Sequence, residues 1–155
     1  MKNLSLFVIC LLATAATLWP QDSKPNLSGR WVMNAARSTG RNPKTCEETI
    51  DHKEPTLTIS TVSEDPRGQT KSFLKLTTDG RDSVNEVNGN EFHSKSHWEA
   101  AKLVTVVTGD RGLTMTEVRS LSADGKTQTV ESFMGPSRAT PMSTRLMEKQ
   151  QPSAH

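Results

Sequence analysis

The chain has 155 residues, 19 Lys+Arg against 17 Asp+Glu, and a formal net charge of +2, a length that suits one domain. Its charges are interspersed, with no long run of one sign, which argues against an electrostatic partner such as nucleic acid or an anionic membrane. The only cysteines are Cys10 and Cys46, so a disulfide framework is excluded.

Residues 1–16 read as a signal peptide. Lys2 gives a positive start, Leu4, Leu6, Phe7, Val8, Ile9, Leu11 and Leu12 form an apolar run, and Ala13-Thr14-Ala15 or Thr14-Ala15-Ala16 offers a small-residue cleavage site. The run is shorter than the ~20 residues that span a bilayer, so the mature chain is expected to carry no transmembrane segment. Removing residues 1–16 takes away one charge, Lys2, and leaves +1. Export to the periplasm or the cell exterior follows as an expectation. Cys10 falls inside the apolar run behind Ile9, where a lipidated cysteine needs a small residue before it. Cys46 is then the single thiol of the mature chain. Residues 17–26 read as a linker, 27–150 as the domain and 151–155 as a disordered tail.

Beyond the linker, short segments rich in Thr, Val, Ile and aromatic residues predict strands over 29–34, 56–62, 70–77, 83–87, 91–98, 102–108, 113–121, 127–134 and 143–149. Asp79-Gly80, Asn88-Gly89, the 109–112 segment, Asp124-Gly125 and Gly135-Pro136 punctuate them. Asn-Gly and Asp-Gly accept positive φ at low cost, as tight hairpins require, so neighbouring strands should run antiparallel. Alternation agrees. Leu57, Ile59 and Thr61 share a face, and Leu74 and Leu76 alternate with Phe73, Lys75 and Thr77. Leu103, Thr105 and Val107 alternate with Val104, Val106 and Thr108, with no clear polar side, which suggests a strand covered on both faces. Residues 35–54, broken by Gly40 and Pro43, read as a long loop with one helical turn near Cys46–Ile50. Ser96-His97-Trp98-Glu99 fits a helix capping box. A helix there would have only about two turns, marginal without tertiary support, so a strand ending at Trp98 and a turn at Ala100–Ala101 are expected.

Asn26-Leu27-Ser28-Gly29-Arg30-Trp31 carries a Gly-x-Trp at the start of the first strand. This resembles the opening motif of lipocalins and the wider calycin group. That resemblance implies an Arg or Lys of the last strand over the tryptophan ring, and Arg145 is the matching candidate. Such closure pairs first and last strands and gains cation–π attraction. The ordered set of 26–34, Ile50-Asp51-His52-Lys53-Glu54-Pro55, Thr77-Thr78-Asp79-Gly80, the 121–127 segment and Glu148-Lys149-Gln150 resembles small exported bacterial lipocalin-like proteins without an established activity. The chain departs from classical lipocalins in lacking their disulfides, and from fatty-acid-binding proteins in lacking a helical lid, so a lipid ligand does not carry over. The resemblance implies an all-β, antiparallel up-and-down barrel of eight to nine strands, closed by Gly29, Trp31 and Arg145.

Reactive constellations are sparse. His93 and His97 share a face of a strand but stand roughly 13 Å apart at 3.3 Å per residue, too far for one Zn²⁺ with bonds near 2 Å. Cys46, Asp51 and His52 could form an activated thiol, yet nucleophilic catalysis needs a fixed base and an orienting third group. No nucleophile elbow, phosphate loop or paired metal-ligand cysteine motif occurs. No catalytic residue, metal or cofactor is therefore assigned. Glu117, Arg119, Glu131 and Arg145 lie on neighbouring strands, and Glu117 and Arg119 share parity with Leu113, Met115 and Leu121. If that face is interior, the barrel contains ion pairs. The opposite reading makes Thr114, Thr116 and Val118 the core. Trp98, Met115, Glu117, Arg119 and Phe133 are the expected lining of a ligand site. The expected role is binding of a small apolar or amphipathic molecule, and the alternative is a filled β-domain acting through protein contacts. An enclosed cavity of about 300 Å³ or more would favour the first.

Overall fold

The computed structural model describes residues 24–109 and 111–151. The expected signal peptide, residues 17–23 of the linker and 152–155 of the tail lie outside the described residues. Eleven strands form a single antiparallel sheet: β1 (Gly29–Met33), β2 (Thr39–Gly40), β3 (Thr45–Lys53), β4 (Thr56–Asp65), β5 (Gly68–Thr77), β6 (Asp79–Val87), β7 (Asn90–Glu99), β8 (Lys102–Gly109), β9 (Thr114–Leu121), β10 (Thr127–Met134) and β11 (Ser143–Lys149). The order around the wall is β5-β4-β3-β1-β11-β10-β9-β8-β7-β6, with β2 added at β11. This is an antiparallel, nearly closed barrel. Among the described residues no helix is long and apolar enough to cross a membrane.

Ten long strands plus β2 replace the expected eight to nine. The difference is the segment read as a loop: its latter half is β3, and the only helical turn within it is a 3-10 turn at Ala35–Arg37, capped by Asn34. In β3 the side chains of Cys46, Glu48, Ile50 and His52 are buried, while Thr45, Thr49 and Asp51 are exposed. The alternation is strict, but half of its inward members are polar, so the strand does not look amphipathic. The capping-box segment is strand through Glu99, and Ala100 turns the chain with φ +52°. Asn88 and Gly89 both adopt positive φ (53° and 76°), as the tight β6–β7 hairpin demands.

β5 and β6, the two ends of the strand order, meet through side chains. Asn85 accepts the Lys75 N–H (2.7 Å) and donates to the Lys75 carbonyl (3.1 Å), taking the part of a strand neighbour, and Ser83 Oγ accepts the Thr77 N–H (3.1 Å).

One end of the barrel is plugged by the core: Leu27, Trp31, Ile50, Leu57, Leu103, Val130 and Met147 are buried together, with Trp98 and Leu121 packed against them. Trp31 is wholly buried and its indole N–H donates to the Leu27 carbonyl at 3.0 Å. β1 pairs with β11, and Trp31 lies opposite Lys149. The cation over the Trp31 ring is therefore Lys149, with Nζ 5.3 Å from the centroid, and not Arg145. The pairing register decides this. Trp31 faces the end of β11, whereas Arg145 lies four residues earlier and pairs with Val130 of β10. Gly29 has φ +143°, and a Cβ there would stand 2.6 Å from Lys149 Cε, so glycine lets the lysine stem cross to the indole. A smaller cluster, Val104, Val118 and Phe133, packs on the outer face beside Arg138, Ala139 and Pro141. It covers the outer side of β8 at Val104, while Val106 and Thr108 further along are only half-buried.

Candidate functional site

Successive residues of a strand point to opposite faces, so Glu117 and Arg119 of β9 enter the interior together. There they meet Glu48 from β3, Gln128 from β10 and Arg145 from β11. Arg119, 4 % exposed, grips Glu48 with two nitrogens: Nη1 donates to Oε2 at 2.6 Å and Nη2 to Oε1 at 3.2 Å. Its Nε donates to Glu117 at 2.7 Å, and Nη1 also reaches Gln128 Oε1 at 2.7 Å. Arg145 Nη2 donates to the second Glu117 oxygen at 3.0 Å and lies 3.8 Å from Glu48. Two carboxylates and two guanidiniums thus form one charge-balanced quartet. Burial opposes charge on Glu48, but Arg119 and then Arg145 outweigh it and hold this carboxyl below its ordinary value. Burial likewise works against the Arg119 charge, and Glu117 and Glu48 reverse that, raising its affinity for the proton.

The quartet forms one polar corner of an interior cavity of about 290 Å³. Ile59, Leu74, Leu76, Val87, Phe92, Val107 and Met115 supply its apolar wall, and Thr61, Ser72, Asn85, Ser94 and Thr105 are its uncharged polar members. Of the residues expected to line a ligand site, Met115, Glu117 and Arg119 stand around this cavity. Trp98 and Phe133 do not. Phe133 belongs to the outer cluster, because the inward residues of β10 are Gln128, Val130 and Ser132. Glu131 shares the outer side with Phe133. Arg145, assigned to barrel closure, is a cavity residue instead. Glu48 lies in the segment expected to be loop, and the alternation of Cys46, Glu48, Ile50 and His52 is the sequence signal that places it inward.

Trp98 serves the plugged end. Its indole N–H donates to Glu54 Oε1 at 2.6 Å, and its ring lies 5.9 Å from that of His52. The Leu27 N–H donates to His52 Nδ1 at 3.2 Å, which leaves Nε2 to carry the hydrogen toward Glu54 at 3.1 Å. Thr78 Oγ1 donates to the other Glu54 oxygen at 2.6 Å. Burial alone would raise the Glu54 carboxyl; hydrogen bonds from Thr78, Trp98 and His52 turn the balance and lower it. His52 is thereby committed to Leu27 and Glu54 rather than to Cys46. The Cys46 thiol is buried and pushed up to about 11, first by burial and then by Glu48, against the opposing pull of Arg145 and Arg119. It is an inert thiol at neutral pH. His93 and His97 are exposed on the outer face with separate partners: His93 bonds Asp82 at 2.7 Å and His97 bonds Glu99 at 3.1 Å.

Fold and interior together make an all-β, nearly closed antiparallel barrel with an amphipathic cavity. No protein-family model matches the chain, and no curated protein matches it. Among solved structures it is similar to the fluorescent protein UnaG, at 18 % identity and TM-score 0.57 over 79 % of this chain and 96 % of that one. An UnaG variant gives 20 % and 0.58 over 81 % and 96 %. Human cRBP IV gives 14 % and 0.57 over 81 % and 99 %. At these identities the likeness is one of fold.

Proposed function

We propose that the chain is an exported, non-catalytic protein that holds a small, partly apolar molecule inside its barrel. The observation that carries this reading is the cavity of about 290 Å³, apolar on most sides and charged at one corner. Its volume lies just below the range of small-molecule sites, about 300–1,000 Å³, and its lining has their make-up of apolar walls with a few polar groups that fix orientation. The likeness to UnaG and human cRBP IV adds a barrel of the same kind. The protonated Cys46 and the fully engaged His52 offer no nucleophile–base pair, which favours binding over catalysis. The pattern of residues 1–16 supports export. Native mass spectrometry of the protein purified from its own host tests the reading. A co-purifying small molecule is the expected result. A cavity occupied only by water, together with a reproducible protein partner, would turn the assignment to the filled interaction domain.

A further inference from the structure

We infer that the molecule held in the cavity is uncharged, an amphiphile whose polar end is a hydroxyl or carbonyl group and not a carboxylate or an ammonium. The inference rests on the binding role proposed above and narrows it. The cavity presents Glu48, Glu117, Arg119 and Arg145, two charges of each sign. Their charges already balance, since each nitrogen of Arg119 donates to a protein oxygen and Glu117 bridges the two arginines. A ligand carboxylate would give this buried corner a net negative charge, and a ligand ammonium a net positive one. Either must draw a quartet member away from its partner or enter without a counter-charge, and both options are costly out of water.

A neutral oxygen meets no such obstacle. Arg145 lines the cavity and gives only Nη2 to Glu117, so this guanidinium retains donor capacity beyond that bond. Elsewhere the polar lining is uncharged. Thr61 and Ser72, cross-strand partners on β4 and β5, bring hydroxyl groups to the cavity, whereas the Ser94 hydroxyl is given to the Ser83 carbonyl and that of Thr105 is paired with Ser96. At ordinary packing density the volume suits roughly a dozen non-hydrogen atoms.

Isothermal titration with three matched probes, decan-1-ol, decanoate and decylammonium, at neutral pH decides the matter, with the Met115 methyl resonance reporting whether binding is internal. Decan-1-ol is expected to bind about tenfold or more tighter than either ion and to shift Met115. Decanoate or decylammonium binding as tightly as the alcohol overturns the inference while leaving an interior binding site in place. Failure of all three to bind or to move Met115 overturns the binding role itself. In Glu117→Gln one negative charge is removed, and the preference is expected to move toward decanoate. An unchanged preference for the alcohol in that variant would also defeat the argument, because charge balance would then not be its cause.

Discussion

Glu48→Gln is the sharpest test of how the interior is held. The substitution keeps shape and volume and removes one charge from a carboxylate that is 2 % exposed. It takes away both Glu48–Arg119 hydrogen bonds as charge-assisted contacts (2.6 and 3.2 Å) and sets an amide donor beside a guanidinium. Breaking a buried pair from one side costs about 3–5 kcal/mol. Arg119 keeps Glu117 and Gln128 as partners, so the lower figure, about 3 kcal/mol, is expected. For a domain of this size that corresponds to a fall in Tm on the order of 10 °C. Thermal unfolding followed by circular dichroism at neutral pH measures it. A Tm within about 2 °C of the unsubstituted protein would refute the reasoning, since the quartet would then contribute nothing net. The pH dependence gives a second arm. The Glu48 carboxyl is depressed in the fold, so its contribution is present above the ordinary glutamate range. It is lost as pH falls from that range through the lower folded value. The parent protein should therefore lose more stability than Glu48→Gln over that acidic interval.

Three further outcomes follow from the geometry. Lys149→Met keeps the apolar stem but removes the ammonium over Trp31; a loss of roughly 0.5–1 kcal/mol is expected in denaturant unfolding, with a shift of tryptophan emission that Arg145→Met does not reproduce. Asn85→Ala unfastens the β5–β6 seam, and hydrogen exchange at the Lys75 amide should accelerate about tenfold, the worth of one ordinary hydrogen bond, while the Leu57 and Leu103 amides stay protected. Cys46 should resist Ellman's reagent at neutral pH and react fully in denaturant, because its thiol is buried and pushed up to about 11; reaction at the rate of a free thiol would contradict its placement.

The hairpins are legible in the sequence because their turns are chemically specific: Asn88-Gly89 and Asp124-Gly125 admit backbone angles that other residues avoid. The β9 faces are legible too, because Met115 and Leu121 share one of them with Glu117 and Arg119. β3 is less so, since Glu48 and His52 sit inward. Their burial depends on Arg119 and Leu27, both distant in sequence, as well as on the neighbouring Glu54, so the local pattern alone does not announce it. The identity of the cation over Trp31 is not legible in the sequence. Arg145 and Lys149 both lie on β11 with equal parity, and the choice between them depends on pairing register, which only the closed wall fixes. Size and apolarity mark Phe133 as buried but not which side of the sheet buries it. Trp98 does share the inward side with Ser94 and Ser96, but it stands at the plugged end and not along the cavity.

Because β1 lies beside β11, with the Gln150 N–H bonded to the Arg30 carbonyl at 2.8 Å, the chain enters and leaves the wall at adjacent points. The ring of strands has no intrinsic beginning. Residues 26 and 151 can be bridged by a few glycines and the backbone reopened between Asn88 and Gly89 without removing any pair of hydrogen-bonded strands. A circularly permuted polypeptide of that design keeps every neighbour relation in the barrel, and places its new termini at the opposite end from the Trp31 plug.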